Sequence, residues 1–315
     1  MHVPEKLDMN KSPIVVVGSV NTDMVVKSQR IPAVGETVTG GQFVLAAGGK
    51  GANQAVAAAR LGGQVTLVAK VGQDMFGNQA VENFRREGIA TDSILRDSQN
   101  ATGVALILVD DQGENLISVA PGANFALAPA EIEQVAQQIR TAAVLMLQLE
   151  IPMDCVCRAA ELAARAGVRV VLDPAPAAPL EDRLLRNVTV LTPNETEAQQ
   201  LTGMPVHDEA SARAAAATLL QRGVQHVIIT MGSQGALLAG AGQYRWFPAI
   251  PVQAIDSTAA GDAFNGGLAC ALARGATLEE AVRWGGLAGA LATTRLGAQP
   301  SLPTEDELNR FAQSH

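Results

Sequence analysis

Short apolar runs alternate with segments of helical spacing along most of the chain. The apolar runs predict buried strands at PIVVVGSV, QVTLVAKVG, AAVLMLQLE, VRVVLDP, VTVLTPN and QHVIITMG. The segments between them predict helices at GANQAVAAARLG, MFGNQAVENFRREG, MDCVCRAAELAARAG, ETEAQQLTG and EASARAAAATLLQRG, with three more from about residues 260, 277 and 304. This order predicts an α/β fold with a parallel sheet covered by helices on both faces, and ligands bind such sheets at the carboxyl ends of the strands.

Two stretches depart from this order and have hairpin character. Residues 36–46 carry strand pieces around a Gly-Gly turn, and residues 103–120 carry two apolar strands around the turn Asp111-Gln112-Gly113. They predict a small separate β-sheet, a candidate lid, with segments near 21–46 and 103–120. A further hairpin is predicted at GALLAGAGQYRWF.

The composition favours one large globular domain. The 315 residues are 48% hydrophobic and 17% charged, which supports a sizeable core. We predict a mobile N-terminal tail over residues 1–12, which has no apolar stretch typical of a signal peptide, and one folded domain over residues 13–315. No apolar run is long enough to span a bilayer. Three cysteines cannot all pair within the chain, so we expect free thiols and a cytoplasmic location.

The charge and motifs limit the partners. The net charge of −8, without a block of Lys and Arg, argues against a nucleic-acid partner. It does not exclude an anionic ligand, because backbone N–H groups bind anions locally. The sequence contains neither a P-loop motif nor a G-x-G-x-x-G after a strand, which argues against these two nucleotide-binding units.

The stretch AIDSTAAGDAFNGG places small residues and two aspartates where a helix is predicted to begin. The first turn of a helix has unpaired N–H groups with a partial positive charge. The residues Ala259, Ala260 and Gly261 have almost no side chains, so a phosphate can approach their N–H groups. Asp262 would then accept a proton from an attacking hydroxyl group. The alternative is that Asp262 is only a favourable carboxylate in the first turn of the helix.

Other polar residues cluster at the predicted ends of strands and starts of helices. In AAGGKGANQAVAAA, glycines free the backbone, Lys50 offers charge and Asn53 is suited to hydroxyl groups; the alternative is a flexible loop. Asn21 and Asp23 lie two residues apart on one side of an extended segment, so they either chelate sugar hydroxyls or form a polar turn. Glu150 ends a buried strand at the expected ligand edge.

Two further segments suit a nucleotide or have a structural explanation. In TPNETEAQQL, Asn194 and Glu197 form a helix-capping pattern that could also order the water ligands of Mg²⁺. The segment TMGSQG, residues 230–235, either holds nucleotide phosphates or is a simple hairpin turn.

The segments GGKGANQA and DSTAAGDAFNGG, in this order and about 200 residues apart, resemble the paired signatures of the ribokinase-like (PfkB) carbohydrate kinases. The resemblance runs from about Ile14 to Ser301. It implies a three-layer αβα sandwich of roughly nine strands, with a small β-sheet lid that often serves as the interface of a homodimer. It also implies that Gly261 and its neighbours form an anion hole and that Asp262 is the catalytic base.

The resemblance further assigns residues to a sugar, ATP, Mg²⁺ and a K⁺ activator. The implied sugar-binding residues are Asn21, Thr22, Asp23, Gly49, Lys50, Gly51, Ala52, Asn53, Glu150 and Asp262. The implied ATP-binding residues are Asn194, Thr230, Met231, Gly232, Ser233, Gln234, Gly235, Gly261 and Gly286. Mg²⁺ would be organised by Asn194 and Glu197. The implied K⁺ ligands are Asp256, Thr258, Ala292, Arg295, Gly297 and Ser301.

Within the family, the segment GSVNTD resembles members that phosphorylate D-ribose at O5. These carry Asn at the position of Asn21, whereas similar kinases of 2-deoxyribose tend to carry Met. The family often has Thr at the position of Ser257, and both residues keep a hydroxyl. The resemblance therefore implies an ATP-dependent ribose kinase. The alternatives are a kinase of 2-deoxyribose, another pentose or a nucleoside, and a sugar-binding regulator without catalysis.

Overall fold

The computed structural model describes residues 12–314, so all but one residue of the predicted N-terminal tail lies outside the described range. In chain order the strands are β1 Pro13–Val17, β2 Asn21–Lys27, β3 Gln42–Gly48, β4 Gln64–Gly72, β5 Ile94–Asp97, β6 Gly103–Val109, β7 Asn115–Ala120, β8 Val144–Leu147, β9 Arg169–Leu172, β10 Val190–Leu191, β11 His226–Thr230, β12 Gly235–Gly240 and β13 Gln243–Pro248. The α-helices are α1 Lys50–Arg60, α2 Met75–Arg86, α3 Pro129–Gln134, α4 Ala136–Thr141, α5 Met153–Arg165, α6 Asp182–Leu185, α7 Glu195–Thr202, α8 Glu209–Gln221, α9 Ala260–Ala273, α10 Leu278–Ala292 and α11 Glu305–Ser314. Short 3₁₀ helices span Gly122–Ala126, Gly232–Gln234 and Gln299–Ser301.

In the described part of the chain, nine strands form the large sheet in the order β13-β12-β11-β10-β9-β8-β1-β4-β5. In this sheet order, the seven neighbouring strands β11, β10, β9, β8, β1, β4 and β5 are parallel. Strands β12 and β13 continue the sheet beyond β11 as an antiparallel hairpin. This confirms the predicted mostly parallel sheet. The predicted second sheet is also confirmed: it has the order β3-β2-β6-β7 and is called the lid sheet below.

The apolar alternation along β1 explains why helices cover both faces of the large sheet. Val15 and Val17 belong to one core, which they share with residues of α5 and α8. Ile14 and Val16 point to the other core, which includes residues of α1, α9 and α10. All four side chains are buried, because successive residues of a strand point to opposite faces and this strand lies inside the sheet.

Some element predictions need correction. Strand β3 begins at Gln42 rather than near residue 36. The first strand stops at Val17 rather than at Val20, and Asn21 opens β2. The helices α3 and α4 were not predicted, because their pattern is short and interrupted at Val135. No helix among residues 12–314 is long and apolar enough to cross a membrane.

Close packing between α1 and α9 places the start of both helices at the same end of the sheet. Asn53 contacts Asp262, and a Cβ added at Gly266 would lie 2.5 Å from the Ala57 Cβ. Contacts therefore advance together along both helices, so α1 and α9 run parallel. Their N-termini lie beside the segment that leaves β1, at the carboxyl edge where α/β folds bind ligands.

Candidate active site

The N-terminus of α9 offers backbone donors at this edge. Ala259 precedes the helix in the left-handed region, with a φ of 59°, and Ala260 N–H donates to the Ser257 carbonyl at 3.1 Å. Gly261 is exposed, and a Cβ added there would meet nothing within 4 Å. Space for an anion is therefore open at Gly261, whereas the turn already uses the Ala260 N–H.

Asp262 follows directly and is only 5% exposed. Its Oδ2 accepts a hydrogen bond from Asn53 Nδ2 at 3.0 Å, and its Oδ1 accepts one from Gln54 Nε2 at 3.1 Å. Burial raises the pKa of the Asp262 carboxyl above its usual value, while the charge of Lys50 and the two amide hydrogen bonds lower it. The carboxylate is fixed in direction and suited to accepting a proton.

A second layer of polar side chains holds these two amides. Gln54 Nε2 also donates to Asp173 Oδ2 at 2.8 Å, and Gln148 Nε2 donates to Gln54 Oε1 at 2.6 Å. Gln299 Nε2 donates to Asn53 Oδ1 at 3.3 Å. Both ends of the Asn53 amide thus bond protein groups, the second Nδ2 hydrogen is not used in these bonds, and the predicted contact with sugar hydroxyls stays a prediction.

Sequence reasoning missed Gln54, Gln148, Asp173 and Gln299. Asp173 follows β9 just as Glu150 follows β8, so the same rule about carboxylates at strand ends would have found it. The three glutamines give no signal in the sequence, because their role depends on partners far along the chain.

Glu150 caps the start of α1 across the fold. The helix has no side-chain cap of its own at Gly49. Instead, Glu150 Oε2 accepts hydrogen bonds from the Lys50 backbone N–H at 2.9 Å and from Ser19 Oγ at 2.5 Å. The predicted ligand-edge carboxylate therefore links β1, β8 and α1, and its second oxygen has no such bond within the described residues.

Three glycines at the junction of β3 and α1 leave no room for a side chain. Gly49 has a φ of 90°, and a Cβ there would lie 2.7 Å from the backbone nitrogen of Asn21. A Cβ at Gly51 would lie 2.5 Å from the backbone nitrogen of Ser19. A Cβ at Gly48 would lie 2.3 Å from the carboxylate oxygens of Asp23. The glycines therefore let this loop lie directly against the segment that joins β1 to β2.

Acidic side chains converge on one lysine. Burial, together with the charges of Glu150 and Asp262, raises the pKa of Asp23 to about 6. Burial lowers the pKa of Lys50, but the carboxyl groups of Asp173, Asp262 and Glu150 outweigh this and raise it above its usual value. Lys50 is thus the cation that interacts with Asp173, Asp262 and Glu150, and Asp23 interacts with Glu150 and Asp262.

The predicted nucleotide segments lie beside this cluster. Asn194 Oδ1 accepts from Glu197 N–H at 2.8 Å, and Glu197 Oε2 accepts from Asn194 N–H at 2.9 Å, which forms a complete capping box. Burial raises the pKa of Glu197. Asn194 pairs as an isolated bridge with Thr230, the first residue of the segment 230–235. Gly286, in α10, has open space where a Cβ would stand.

Asp256 joins the two predicted cation-binding segments. Its Oδ1 accepts from Thr258 N–H at 2.9 Å and from Thr258 Oγ1 at 2.6 Å, and its Oδ2 accepts from Gly297 N–H at 2.8 Å. The Ala292 carbonyl accepts from Arg295 N–H, and the Ser301 hydroxyl donates to the Ala298 carbonyl. Carboxylate, hydroxyl and carbonyl oxygens are hard ligands, and the K⁺ site implied by these residues stays a prediction. Within residues 12–314 no cluster of three or more His, Cys, Asp or Glu side chains could hold a metal ion.

Asp173 gives a prediction for stability. Burial raises its pKa to about 8. Between the unfolded value and this folded value, the folded state keeps a proton that the unfolded state releases, so the contribution of Asp173 to stability is lost as pH rises. We expect Asp173→Asn to raise the melting temperature relative to the unchanged chain more at about pH 8 than at about pH 5. The control is Asp111→Asn in the exposed β6–β7 turn, and an equal difference at both pH values would contradict the assignment.

Comparison with known proteins identifies the family. The family model described as "pfkB family carbohydrate kinase" matches residues 11–305. A ribokinase of Haemophilus influenzae is 44% identical over 96% of this chain and 99% of its own length. A deoxyribokinase of Salmonella typhi is 36% identical over 95% of this chain and 98% of its own length.

Solved structures agree with these sequences. The structure of Arabidopsis thaliana ribokinase complexed with ribose and ATP superposes with a TM-score of 0.91, at 33% identity over 95% of this chain and 98% of that one. The match extends over nearly the whole chain in each comparison. This chain therefore belongs to the pfkB family of carbohydrate kinases.

Proposed function

We propose that this chain transfers the γ-phosphate of ATP to O5 of D-ribose, giving D-ribose 5-phosphate and ADP. The observation that carries the proposal is the buried Asp262 carboxylate, held by two amides directly beside the open N-terminus of α9. A sugar-binding regulator would need no proton acceptor at this position. The relatives named ribokinase, and the neighbour solved with ribose and ATP, support the substrates.

In the proposed reaction, Asp262 accepts the proton of the O5 hydroxyl as O5 attacks the γ-phosphorus. The bond between the γ-phosphorus and the β,γ-bridging oxygen breaks, and ADP leaves with that oxygen. The open N–H at Gly261 and the partial positive charge of the α9 N-terminus stabilise the negative charge on the transferred group. The partly buried Lys50 ammonium interacts with the carboxyl groups and would balance part of their charge as the phosphates enter.

Sugar hydroxyls would bind Asn21 and Asp23 on one side of the pocket and the backbone of Gly49 to Asn53 on the other, with Glu150 between them. ATP would lie along Asn194 and residues 230–235, with Gly286 near the adenine. Mg²⁺ would neutralise phosphate charge when bound, and Glu197 with Asn194 would organise it. Because Glu197 already accepts the Asn194 N–H, its second oxygen is the group available for this role.

The proposed base gives the first kinetic prediction. Asp262→Asn keeps the size of the side chain but removes the proton acceptor, so kcat should fall about 10²- to 10⁴-fold while ribose still binds. A coupled assay of ADP release with ribose as substrate measures kcat, and calorimetry measures binding. A variant with nearly normal kcat would falsify the role of Asp262.

The choice between ribose and 2-deoxyribose depends on Asn21. The deoxyribokinase among the relatives shows that the fold alone does not select the sugar. We propose that the Asn21 amide binds the 2-hydroxyl and that Asp23 binds other hydroxyls. A bound 2-deoxyribose leaves the amide buried without a partner, at a cost of about 1–3 kcal/mol.

Two variants separate these roles. Asn21→Met should lower kcat/KM for ribose and narrow or reverse its preference over 2-deoxyribose, because the unpaired amide is gone. Asp23→Ala should lower kcat/KM for both sugars together. The measurement is kcat/KM for both sugars in all three proteins, and an unchanged ratio in Asn21→Met would remove Asn21 as the selector.

We also propose a K⁺ activator at Asp256. The ion would be held by Asp256 with the oxygens of Thr258, Ala292, Arg295, Gly297 and Ser301. When bound there it would add positive charge near the N-terminus of α9. Asp256 already ties the two segments together through Thr258 and Gly297, so its loss would loosen both.

Replacing Na⁺ by K⁺ at constant ionic strength should therefore raise the rate of ADP release. In Asp256→Ala the response to K⁺ should disappear. Thermal unfolding in both salts gives a readout that does not depend on activity, since an ion bound to the folded chain raises its melting temperature. The same rate and the same melting temperature in both salts would argue against the site.

The lid sheet is proposed as the interface of a homodimer. One face of this sheet carries Phe43, Leu106 and Leu116, whose side chains are more than half exposed, so this face presents an apolar surface. A second copy of the chain would cover this surface.

The cytoplasmic location expected from the cysteines stays a prediction.

Analytical ultracentrifugation tests the dimer. Phe43→Glu places a charge on the apolar face and should shift the protein to the mass of one chain. Val34→Glu is the matched control, because Val34 is fully exposed outside the lid sheet and its replacement should leave the mass unchanged. Sedimentation of the unchanged chain as a monomer would overturn the proposal.

A further inference from the structure

Asn124, in the 3₁₀ helix after β7, is a buried amide with three hydrogen bonds near the proposed sugar site. It is 1% exposed. Its Oδ1 accepts from the Val20 backbone N–H at 2.9 Å, and its Nδ2 donates to the Val20 carbonyl at 3.1 Å and to Asn21 Oδ1 at 2.8 Å. Both donors and the oxygen of this amide are therefore directed at the two residues where the chain enters the lid sheet.

These bonds fix the orientation of both amides. The Val20 N–H requires an acceptor and the Val20 carbonyl requires a donor, so the Asn124 amide fits in one orientation only. In that orientation Asn124 presents an N–H group to the Asn21 side chain. The Asn21 atom that meets it must be an acceptor, so the oxygen of Asn21 faces Asn124 and its nitrogen faces away.

The surrounding backbone keeps the pair together. Asn21 lies opposite Gly103 in the β2–β6 ladder. A Cβ at Gly103 would lie 2.2 Å from Asn21 Oδ1 and 2.4 Å from Asn124 Nδ2. A side chain at that position would therefore separate the two amides, and glycine allows them to meet.

The free end of the Asn21 amide belongs to the pocket. Asn21 and Asp23 lie on the same face of β2, and the charges of Glu150 and Asp262 act on Asp23. Within residues 12–314, no hydrogen bond from Asn21 Nδ2 to protein is present. The face of β2 that carries the Asp23 carboxylate therefore also carries an N–H donor that no protein group uses within the described residues.

We propose that Asn124 is a positioning residue for specificity, which turns the Asn21 amide so that it offers an N–H donor, and not a carbonyl, to the 2-position of the sugar. The inference rests on the proposed function and deepens it. The 2-hydroxyl would be recognised through its oxygen as an acceptor. If Asn21 offers an N–H donor, a sugar whose 2-substituent only accepts hydrogen bonds should bind more tightly than a sugar with hydrogen at that position. If Asn21 offered its carbonyl instead, the same substituent should not improve binding.

Two analogues test the orientation in the unchanged chain. Fluorine accepts weakly and cannot donate, so 2-deoxy-2-fluoro-D-ribose should bind about 2- to 5-fold more tightly than 2-deoxy-D-ribose. Isothermal calorimetry measures both dissociation constants, together with that of ribose. Equal binding, or weaker binding of the fluoro sugar, would overturn the proposal.

Substitutions at the two amides should reverse this preference. Asn124→Asp offers only acceptors, so the Asn21 amide must turn its N–H toward residue 124 and its carbonyl toward the sugar. The fluoro sugar should then bind more weakly than the deoxy sugar. Asn309→Asp makes the same chemical change on exposed α11 and should keep the original preference. A folded Asn124→Asp variant that keeps the original preference would show that Asn124 does not set the amide.

If Asn124→Asp does not fold, Asn21→Asp tests the same orientation of the group at residue 21. It keeps an oxygen for Asn124 and replaces the free N–H by an acceptor, so the fluoro sugar should again become the weaker ligand. An unchanged preference in Asn21→Asp would also overturn the inference. Failure of the unchanged chain to bind ribose would contradict the proposed function together with this inference. Binding of ribose without discrimination between the two analogues would contradict this inference alone.

Discussion

The packing of α1 against α9 is the contact on which the candidate site depends. Small residues let the helices approach: a Cβ at Gly266 would lie 2.5 Å from the Ala57 Cβ. Because the helices run parallel, consecutive amides in the first turns of α1, Asn53 and Gln54, reach the two carboxylate oxygens of Asp262. The same contact opens the N-terminus of α9 at the ligand edge. The direction of the proposed base and the position of the anion-binding N–H therefore have one structural cause.

Burial and the charge of Lys50 together have the largest effects on the pKa values of the Asp173 and Asp262 carboxyl groups in the pocket. The carboxyl groups of Asp173 and Asp262 are buried and that of Asp23 is partly buried, and burial raises the pKa of each. Lys50 is the cation that acts on Asp173 and Asp262, and their charges in turn raise its own pKa. A pocket with excess negative charge needs positive charge when phosphates enter, which agrees with the proposed role of Mg²⁺ and of K⁺ near α9. The amide hydrogen bonds at Asp262 oppose the effect of burial and keep its ionised form accessible.

The lid sheet joins the large sheet through a short segment whose geometry is set by side chains from elsewhere. Ser19 bonds Glu150, and Val20 bonds Asn124 on both its N–H and its carbonyl. Gly49 and Gly51, at the junction of β3 and α1, pack against the backbone of this segment. The proposed sugar-binding residues Asn21 and Asp23 thus begin a strand whose start is held at several points, which explains how a lid strand can present side chains to the pocket in a fixed direction.

The sequence by itself determined those features that depend on neighbours along the chain. The alternation of apolar strands and helices, the β6–β7 hairpin and the Asn194–Glu197 capping box were all predictable, because their periodicity and hydrogen bonds are local. The paired glycine-rich segments also indicated the family before any geometry was available.

Tertiary structure decided which polar side chains meet. Asn53 bonds Asp262, which lies 209 residues away, and Gln299, which lies 246 residues away, while its contact with a sugar stays a prediction. Gln54 and Asn124 gave no signal, since an amide acquires its role only when the fold brings a distant donor or acceptor to within hydrogen-bonding distance.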